Sequence, residues 1–166
     1  MDLLAGEYGG AGGKHRHQDV QEIKARKARG CDLAFELTEN VKIEGTLPDG
    51  AKDSAIVRVA GIVPFLVMKA MALADRVKTK DAWDIYFCLR NYPGGIPALA
   101  EAFRPHLGNK LVQEGVSKIR EKFLTADHAG PQWCADFDEI TDPDERVLRT
   151  RDAFERIDDL LRRLKE

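Results

Sequence analysis

The spacing of apolar residues changes near residue 61. Upstream, Val41-Lys-Ile43 and Ile56-Val-Arg-Val59 alternate apolar and polar with period two, the pattern of strands with one face apart from the other. Leu47-Pro-Asp-Gly50 lies between them and reads as a turn, since Pro48 sets φ and Gly50 supplies a permissive backbone. The two runs are expected to pair as an antiparallel hairpin with a long loop. Downstream, Val63, Leu66, Val67, Ala70, Met71 and Leu73 recur at helical spacing, with Pro64 tolerated in a first turn. Thr79 is the expected N-cap of a second helix, Lys80 to Arg90, with Asp81 near its positive end. Asn91-Tyr-Pro-Gly-Gly95 ends that helix. Pro97 to Phe103, Lys110 to Leu124 and Pro131 to Ile140 follow as amphipathic helices. A last helix starts at Asp142-Pro-Asp-Glu145 and runs to Leu164, with Val147, Leu148, Phe154, Ile157, Leu160 and Leu161 on its apolar stripe.

The beginning of the chain is less regular. Met1-Asp2-Leu3-Leu4 reads as a strand, and Gly6, Gly9, Gly10, Gly12 and Gly13 as a mobile connection closed by Lys14-His-Arg-His17. Its glycine spacing fits neither the phosphate-binding P-loop nor the dinucleotide fingerprint. Val20 to Lys27 reads as a strand or a short helix, and Cys31 to Leu37 carries apolar Leu33, Ala34, Phe35 and Leu37. The fold class is therefore α+β. A partial antiparallel sheet in a β region, 1–60, is followed by a C-terminal helical bundle, 61–166, in one continuous domain.

Charge and cysteine usage narrow the classes. The 166 residues carry a net charge of −2 and are 43% hydrophobic and 33% charged, enough for one core of ordinary size. No apolar run approaches the ~20 residues that span a bilayer. The start lacks the charged-then-apolar pattern of an export signal. Cys31, Cys88 and Cys134 are odd in number and widely spaced, so neither a disulfide framework nor a zinc site is expected. Cys88, in the run Ile85-Tyr-Phe-Cys88, reads as a buried small hydrophobe. These features point to a soluble cytoplasmic protein without a membrane partner. Between Lys14 and Arg29, six Lys/Arg face Asp19 and Glu22, a local balance of +4. Such a stretch either attracts phosphates or forms a solvated face.

The segment from Lys69 to Asp84 carries the candidate chemistry. Seven residues make almost two helical turns, so Lys69 and Arg76 share a face. Lys69 interrupts an apolar run, which is costly unless it meets an anion. Asp81 and Asp84 share a face of the next helix. Packed as a hairpin, the two helices would bring two cations and two carboxylates into one cleft. That set suits a nucleotide, with cations for its phosphates and a carboxylate for a metal or for the proton of an attacking hydroxyl. It equally suits a pair of structural salt bridges with Lys80 and Asp84 as an i,i+4 pair.

The order of a strand ending Val57-Arg-Val59, an apolar helix, then Lys80-Asp-x-x-Asp84 and an aromatic-rich run resembles AbiEii/AbiGii-type nucleotidyltransferases, toxins of antitoxin-paired phage-defence systems. Their final motif, K-x6-R-x4-D-x2-D, is matched position by position by Lys69, Arg76, Asp81 and Asp84. The resemblance is strong over about forty residues, Ile56 to Tyr92, and generic beyond. It implies a nucleotidyltransferase-like sheet and transfer of a nucleotidyl group from an NTP to an acceptor such as tRNA or protein. It also implies magnesium as cofactor and an antitoxin protein as partner. Lys69, Arg76 and Lys80 would hold phosphates, and Asp81 would be catalytic with Asp84 in support. The family's Gly-Ser turn is absent from this sequence, and its metal-binding Asp-x-Asp strand has no counterpart upstream of the motif. Asp136-Phe-Asp138 lies far downstream in a helical region and reads as surface charge. Asp2 is the one residue that could stand for a core-strand metal ligand. The expectation is thus a chain carrying the back half of the fold, which leaves a sheet edge uncovered for self-association or for a separately made piece. Two other classes stay open: a non-catalytic helical interaction or regulatory module, and an RNA binder using the basic stretch. The latter has only Tyr8 and Phe35 as nearby aromatics.

Overall fold

Short strands open the structure and helices close it, in an α+β arrangement. The computed structural model describes residues 3–6, 17–20, 23–76 and 78–165, with 17–20 and 23 described by backbone alone. The chain divides into two units, Met1–Phe65 and Leu66–Glu166.

The first unit holds two small sheets. Strands β1 (Leu4–Ala5), β2 (His17–Val20) and β3 (Ile23–Lys27) form a sheet in the order β1-β3-β2. β1 runs parallel to β3, with Leu4 opposite Arg26, and β2 pairs antiparallel with it, from His17 opposite Arg26 to Val20 opposite Ile23. The helical alternative for Val20 to Lys27 is therefore excluded. The weak local periodicity there yields to pairing of the backbone on both edges of β3. Helix α1 (Cys31–Glu36) starts after Gly30, whose φ of 82° suits glycine. Cys31 and Leu33 of α1 are buried, as are Ala5 and Ala25.

The expected hairpin is present, but the long loop expected between its strands is instead strand, leaving only residues 47–51 as the turn of a long ribbon, because the polar residues at the ribbon's tip pair through their backbones. Strands β4 (Thr38–Thr46) and β5 (Lys52–Ala60) pair antiparallel over nine residues each, in a register that sets Val41 against Val57 and Lys42 against Ile56. The turn closes as its residues require: Gly50 N–H donates to the Leu47 carbonyl at 2.8 Å, Ala51 N–H to Asp49 Oδ1 at 3.0 Å, and Gly50 has φ 88°. Alternation along the paired strands puts Val41, Ile43, Ala55, Val57 and Val59 on one face, and all of them are exposed.

Helix α2 (Ile62–Asp75) crosses the division, and the second unit continues with α3 (Thr79–Asn91), α4 (Gly95–Phe103), α5 (Lys110–Lys122), α6 (Ala129–Phe137) and α7 (Pro143–Arg163). The core is built from the stripes anticipated from spacing: Leu66, Val67, Ala70 and Leu73 of α2, Ile85 and Leu89 of α3, Leu99 and Phe103 of α4, and Ile157 and Leu160 of α7 are all at most 1% exposed. Within this unit α3 packs on α4, α6 and α7. Gly115 lets α5 approach α2, since a Cβ there would stand 3.2 Å from Val67 Cα and both its methyl carbons.

Helix ends differ from the spacing-based reading in definite ways. Thr79 is the first residue of α3 and not its cap: Lys78 holds the N-cap position, with no side-chain cap bond, and its carbonyl accepts from Asp81 N–H at 3.0 Å. α4 begins two residues before Pro97, and α5 ends at Lys122. α6 begins at Ala129, with Pro131 in its first turn, and stops before Glu139, whose left-handed φ of 54° breaks the helix short of Ile140. Asp142 caps α7, accepting from the N–H groups of Asp144 and Glu145 at 3.0 and 2.9 Å. No helix among the described residues is long and apolar enough to cross a membrane.

Candidate functional site

The four motif residues Lys69, Arg76, Asp81 and Asp84, together with Lys80, lie in the second unit and meet at one place. Lys69 projects from α2 where the helix is otherwise buried, and Arg76 follows the helix end. Lys80, Asp81 and Asp84 occupy the start of α3. Lys69 Nζ lies 3.2 Å from Asp81 Oδ1 and 2.5 Å from Asp84 Oδ2. Arg76 grips Asp81 with two nitrogens, Nε at 2.9 Å from Oδ2 and Nη2 at 3.3 Å from Oδ1. Lys80 Nζ closes the series at 2.5 Å from Asp84 Oδ1. The order is thus Arg76, Asp81, Lys69, Asp84, Lys80, a line of alternating sign. Three cations and two carboxylates leave one positive charge.

Burial makes this pairing matter. Asp81 is 2% exposed and Asp84 8%, so neither carboxylate can rely on water. Burial alone would raise the pKa of Asp81, but the hydrogen bonds from Arg76 and Lys69, reinforced by their charges, hold it below the usual carboxylate value. Burial likewise disfavours the Lys69 ammonium. The bonds to Asp84 and Asp81 outweigh this and hold its pKa above the ordinary lysine value. Both groups are therefore charged at neutral pH, and Asp81 is not tuned toward the pKa of a general base. Cys88, expected to be buried, is half-buried one turn further along, and desolvation with the nearby Asp84 charge pushes its thiol up. Cys31 and Cys134 are buried, the latter with its pKa pushed up to about 12 by burial.

The donor set does not fit a magnesium ion. Every oxygen of Asp81 and Asp84 already faces a lysine or arginine, and no group of three or more His, Cys, Asp or Glu suited to a metal occurs among the described residues. Asp2 lies outside the described residues, as do Lys14 and Arg16 of the basic stretch and most of the glycine-rich connection.

Asp136 is surface charge as expected, while Asp138 is partly buried and tied into the structure. Asp136 accepts from Arg146 at 2.6 Å, while Asp138 accepts from the Trp83 indole N–H at 2.7 Å and pairs with Arg149. A second Asp-x-Asp, Asp142-Pro-Asp144, serves the α7 cap described above. Beside these, Tyr86 donates its hydroxyl proton to Asp152 at 2.6 Å, and Asp152 is held by Arg156 at 3.0 Å. These partners stand 55 and 66 residues apart in the chain, so local spacing carried no sign of them. The one hint was the i,i+4 placement of Trp83 and Phe87.

A family model described as nucleotidyl transferase AbiEii toxin, type IV toxin–antitoxin system, matches residues 32–163 of this chain. Comparison with curated proteins and with solved structures gives no match.

Proposed function

The chain belongs to the AbiEii nucleotidyl transferase toxin family, and on that premise we propose that the ionic cluster of α2 and α3 binds the phosphates of a nucleoside triphosphate whose nucleotidyl group passes to an acceptor such as tRNA or protein. The observation that carries this reading is the convergence of Lys69, Arg76 and Lys80 on one place, with Asp81 and Asp84 setting their positions. Cations already oriented by buried carboxylates need little reorganisation to meet a polyanion. Lys69 is the central member, since it touches both carboxylates, and a phosphate that displaced Asp84 from it would still find it anchored by Asp81.

The proposed roles divide accordingly. Lys69, Arg76 and Lys80 receive phosphate oxygens. Asp81, buried and gripped by Arg76, orients the cations. Asp84, held on one side by the solvent-reaching Lys80, is the carboxylate that phosphate binding would release for a proton of the acceptor. Magnesium, which the family implies, finds no fitting donor set in these residues, and no step is assigned to it. Neutralisation by a cognate antitoxin protein completes the proposal.

The test is calorimetric titration of the chain with the four NTPs, followed by incubation with labelled NTP, magnesium and bulk tRNA. We expect weak NTP binding that falls roughly 10- to 150-fold in Lys69→Met, the scale of a charge-assisted hydrogen bond. We expect no labelled acceptor, because the carboxylates of Asp136-Phe-Asp138, near Lys80, are already paired with Arg146 and Arg149. Unchanged affinity in Lys69→Met would reduce the cluster to salt bridges. Strong labelling would show that Asp81 or Asp84 does hold the metal.

A further inference from the structure

Along α3 beside the ionic cluster, a cleft of about 250 Å³ opens between α3, Asp138 just past the end of α6, and Arg149 of α7. Trp83 and Phe87 form its aromatic wall, their rings stacked with centroids 4.9 Å apart and planes 25° from parallel. Phe137 backs Trp83 at 4.9 Å in a tilted arrangement. The indole is further pinned by its N–H bond to Asp138, which pairs with Arg149, whose guanidinium lies 5.3 Å from the Tyr86 ring centre. The wall is thus rigid, yet it ends in an exposed ring: Phe87 is 47% exposed. Arg90 stands beside it, three residues on, exposed and also lining the cleft. It donates to the Tyr86 hydroxyl over a long 3.3 Å, and its charge reaches Asp152, which accepts from that same hydroxyl.

We propose that this cleft binds a nucleobase stacked on Phe87, with the adjoining phosphate on the Arg90 guanidinium. A flat π surface at the end of a fixed stack, next to an exposed guanidinium, is the combination that holds unpaired bases. An apolar peptide is disfavoured by the same wall, because Asp138, Arg149 and Arg90 put three charged groups in the cleft. Two sources share this chemistry, a free nucleotide and an unpaired base of a single strand. The cleft borders the Lys69 cluster, since Lys80 Nζ lies 5.9 Å from the Trp83 ring centre, but Phe87 and Arg90 belong to none of the cluster's ion pairs, so a base held there does not require NTP on the cluster.

The experiment is titration of the full chain, followed by Trp emission and calorimetry, with AMP and CMP in one arm and with eight-nucleotide oligoadenylate and oligocytidylate in another. Binding is expected in at least one arm. A strand site gives much tighter binding of the oligomers than of the mononucleotides, and a free-nucleotide site gives equal binding. Phe87→Leu, which keeps apolar bulk but removes the ring, should weaken binding about tenfold or more, the scale of one base–aromatic stack. Phe87→Trp should restore it. Arg90→Gln should weaken AMP but leave unphosphorylated adenosine unchanged. Circular dichroism checks that each variant is folded. If Phe87→Leu fails to fold, the exposed Arg90→Gln alone decides, and equal AMP binding there overturns the proposal. No binding in either arm at millimolar ligand, or binding untouched by Phe87→Leu, also overturns it. Capture of a protein at this face with no nucleotide binding would assign the cleft to a protein partner and defeat the nucleobase reading.

Discussion

Lys69→Met removes the one side chain that touches both buried carboxylates while keeping an apolar stem of similar length. Asp81 would retain Arg76 at 2.9 and 3.3 Å, but Asp84 would depend on Lys80, whose side chain is 59% exposed. A hydrogen bond to a charged group contributes about 1.5–3 kcal/mol, and stripping one partner from a fully buried pair costs about 3–5 kcal/mol. The two Lys69 bonds share one ammonium, and each carboxylate keeps a partner, so the losses do not add. Methionine also recovers the cost of burying the ammonium. The expected loss is about 2–3 kcal/mol in urea denaturation followed by helical circular dichroism. Lys80→Met, at the exposed end of the same line, should cost less than about 1 kcal/mol. The double variant Lys69→Met, Asp84→Asn should recover part of the Lys69→Met loss, because the unpaired charge is gone. A Lys69→Met loss below about 0.5 kcal/mol, or a double variant worse than the sum of its parts, would refute the claim that burial makes this pairing cooperative.

Stability should depend on pH through the same groups. Asp81 has a depressed folded pKa, so its contribution is present above about pH 4, the unfolded value, and is lost as pH falls through the lower folded value. Lys69 has a raised folded pKa, so its contribution is present below about pH 10.4 and fades as pH climbs through the higher folded value. Urea midpoints from pH 2 to 11 should show both limbs, and Lys69→Met should flatten the alkaline one. Gly115→Ala gains about 1 kcal/mol of helix propensity but sets a methyl against the Val67 backbone, where overpacking costs about 1–3 kcal/mol, so a net loss in thermal melts is expected. The exposed apolar face of the β4–β5 ribbon should promote self-association, seen as a rising mass in light scattering across a dilution series and abolished by Val57→Lys.

Regular spacing made much of the architecture legible. The ribbon register follows from the alternation at Val41, Ile43, Val57 and Val59, and the buried faces of α2, α3 and the later turns of α7 follow from apolar positions recurring every three or four residues, whereas Val147 and Leu148, expected on the α7 stripe, are exposed because the first turns of α7 turn that side to solvent. Ribbon length was less visible, because Glu39, Glu44, Asp53 and Lys52 are polar residues on an exposed ribbon and break the alternation. The left-handed Glu139 that ends α6 has no compositional signature. For the site, the convergence of Lys69, Arg76, Asp81 and Asp84 was readable because helix pitch fixes which residues share a face. Trp83 meeting Asp138, and Tyr86 meeting Asp152, depend on how α6 and α7 fall against α3, and that packing is written in no local stretch.

The alternating line of charges has a consequence for selectivity by valence. An anion approaching Lys69 or Arg76 does not meet a bare cation; it must compete with an internal carboxylate that is already in place and dehydrated. A singly charged ion such as chloride or acetate exchanges one carboxylate for another weak anion and gains little. A polyanion can engage Lys69, Arg76 and Lys80 together and offset the displacement of both aspartates at once. On the proposed phosphate-binding reading, the buried carboxylates set a threshold that several adjoining negative charges can cross and a monovalent ion cannot.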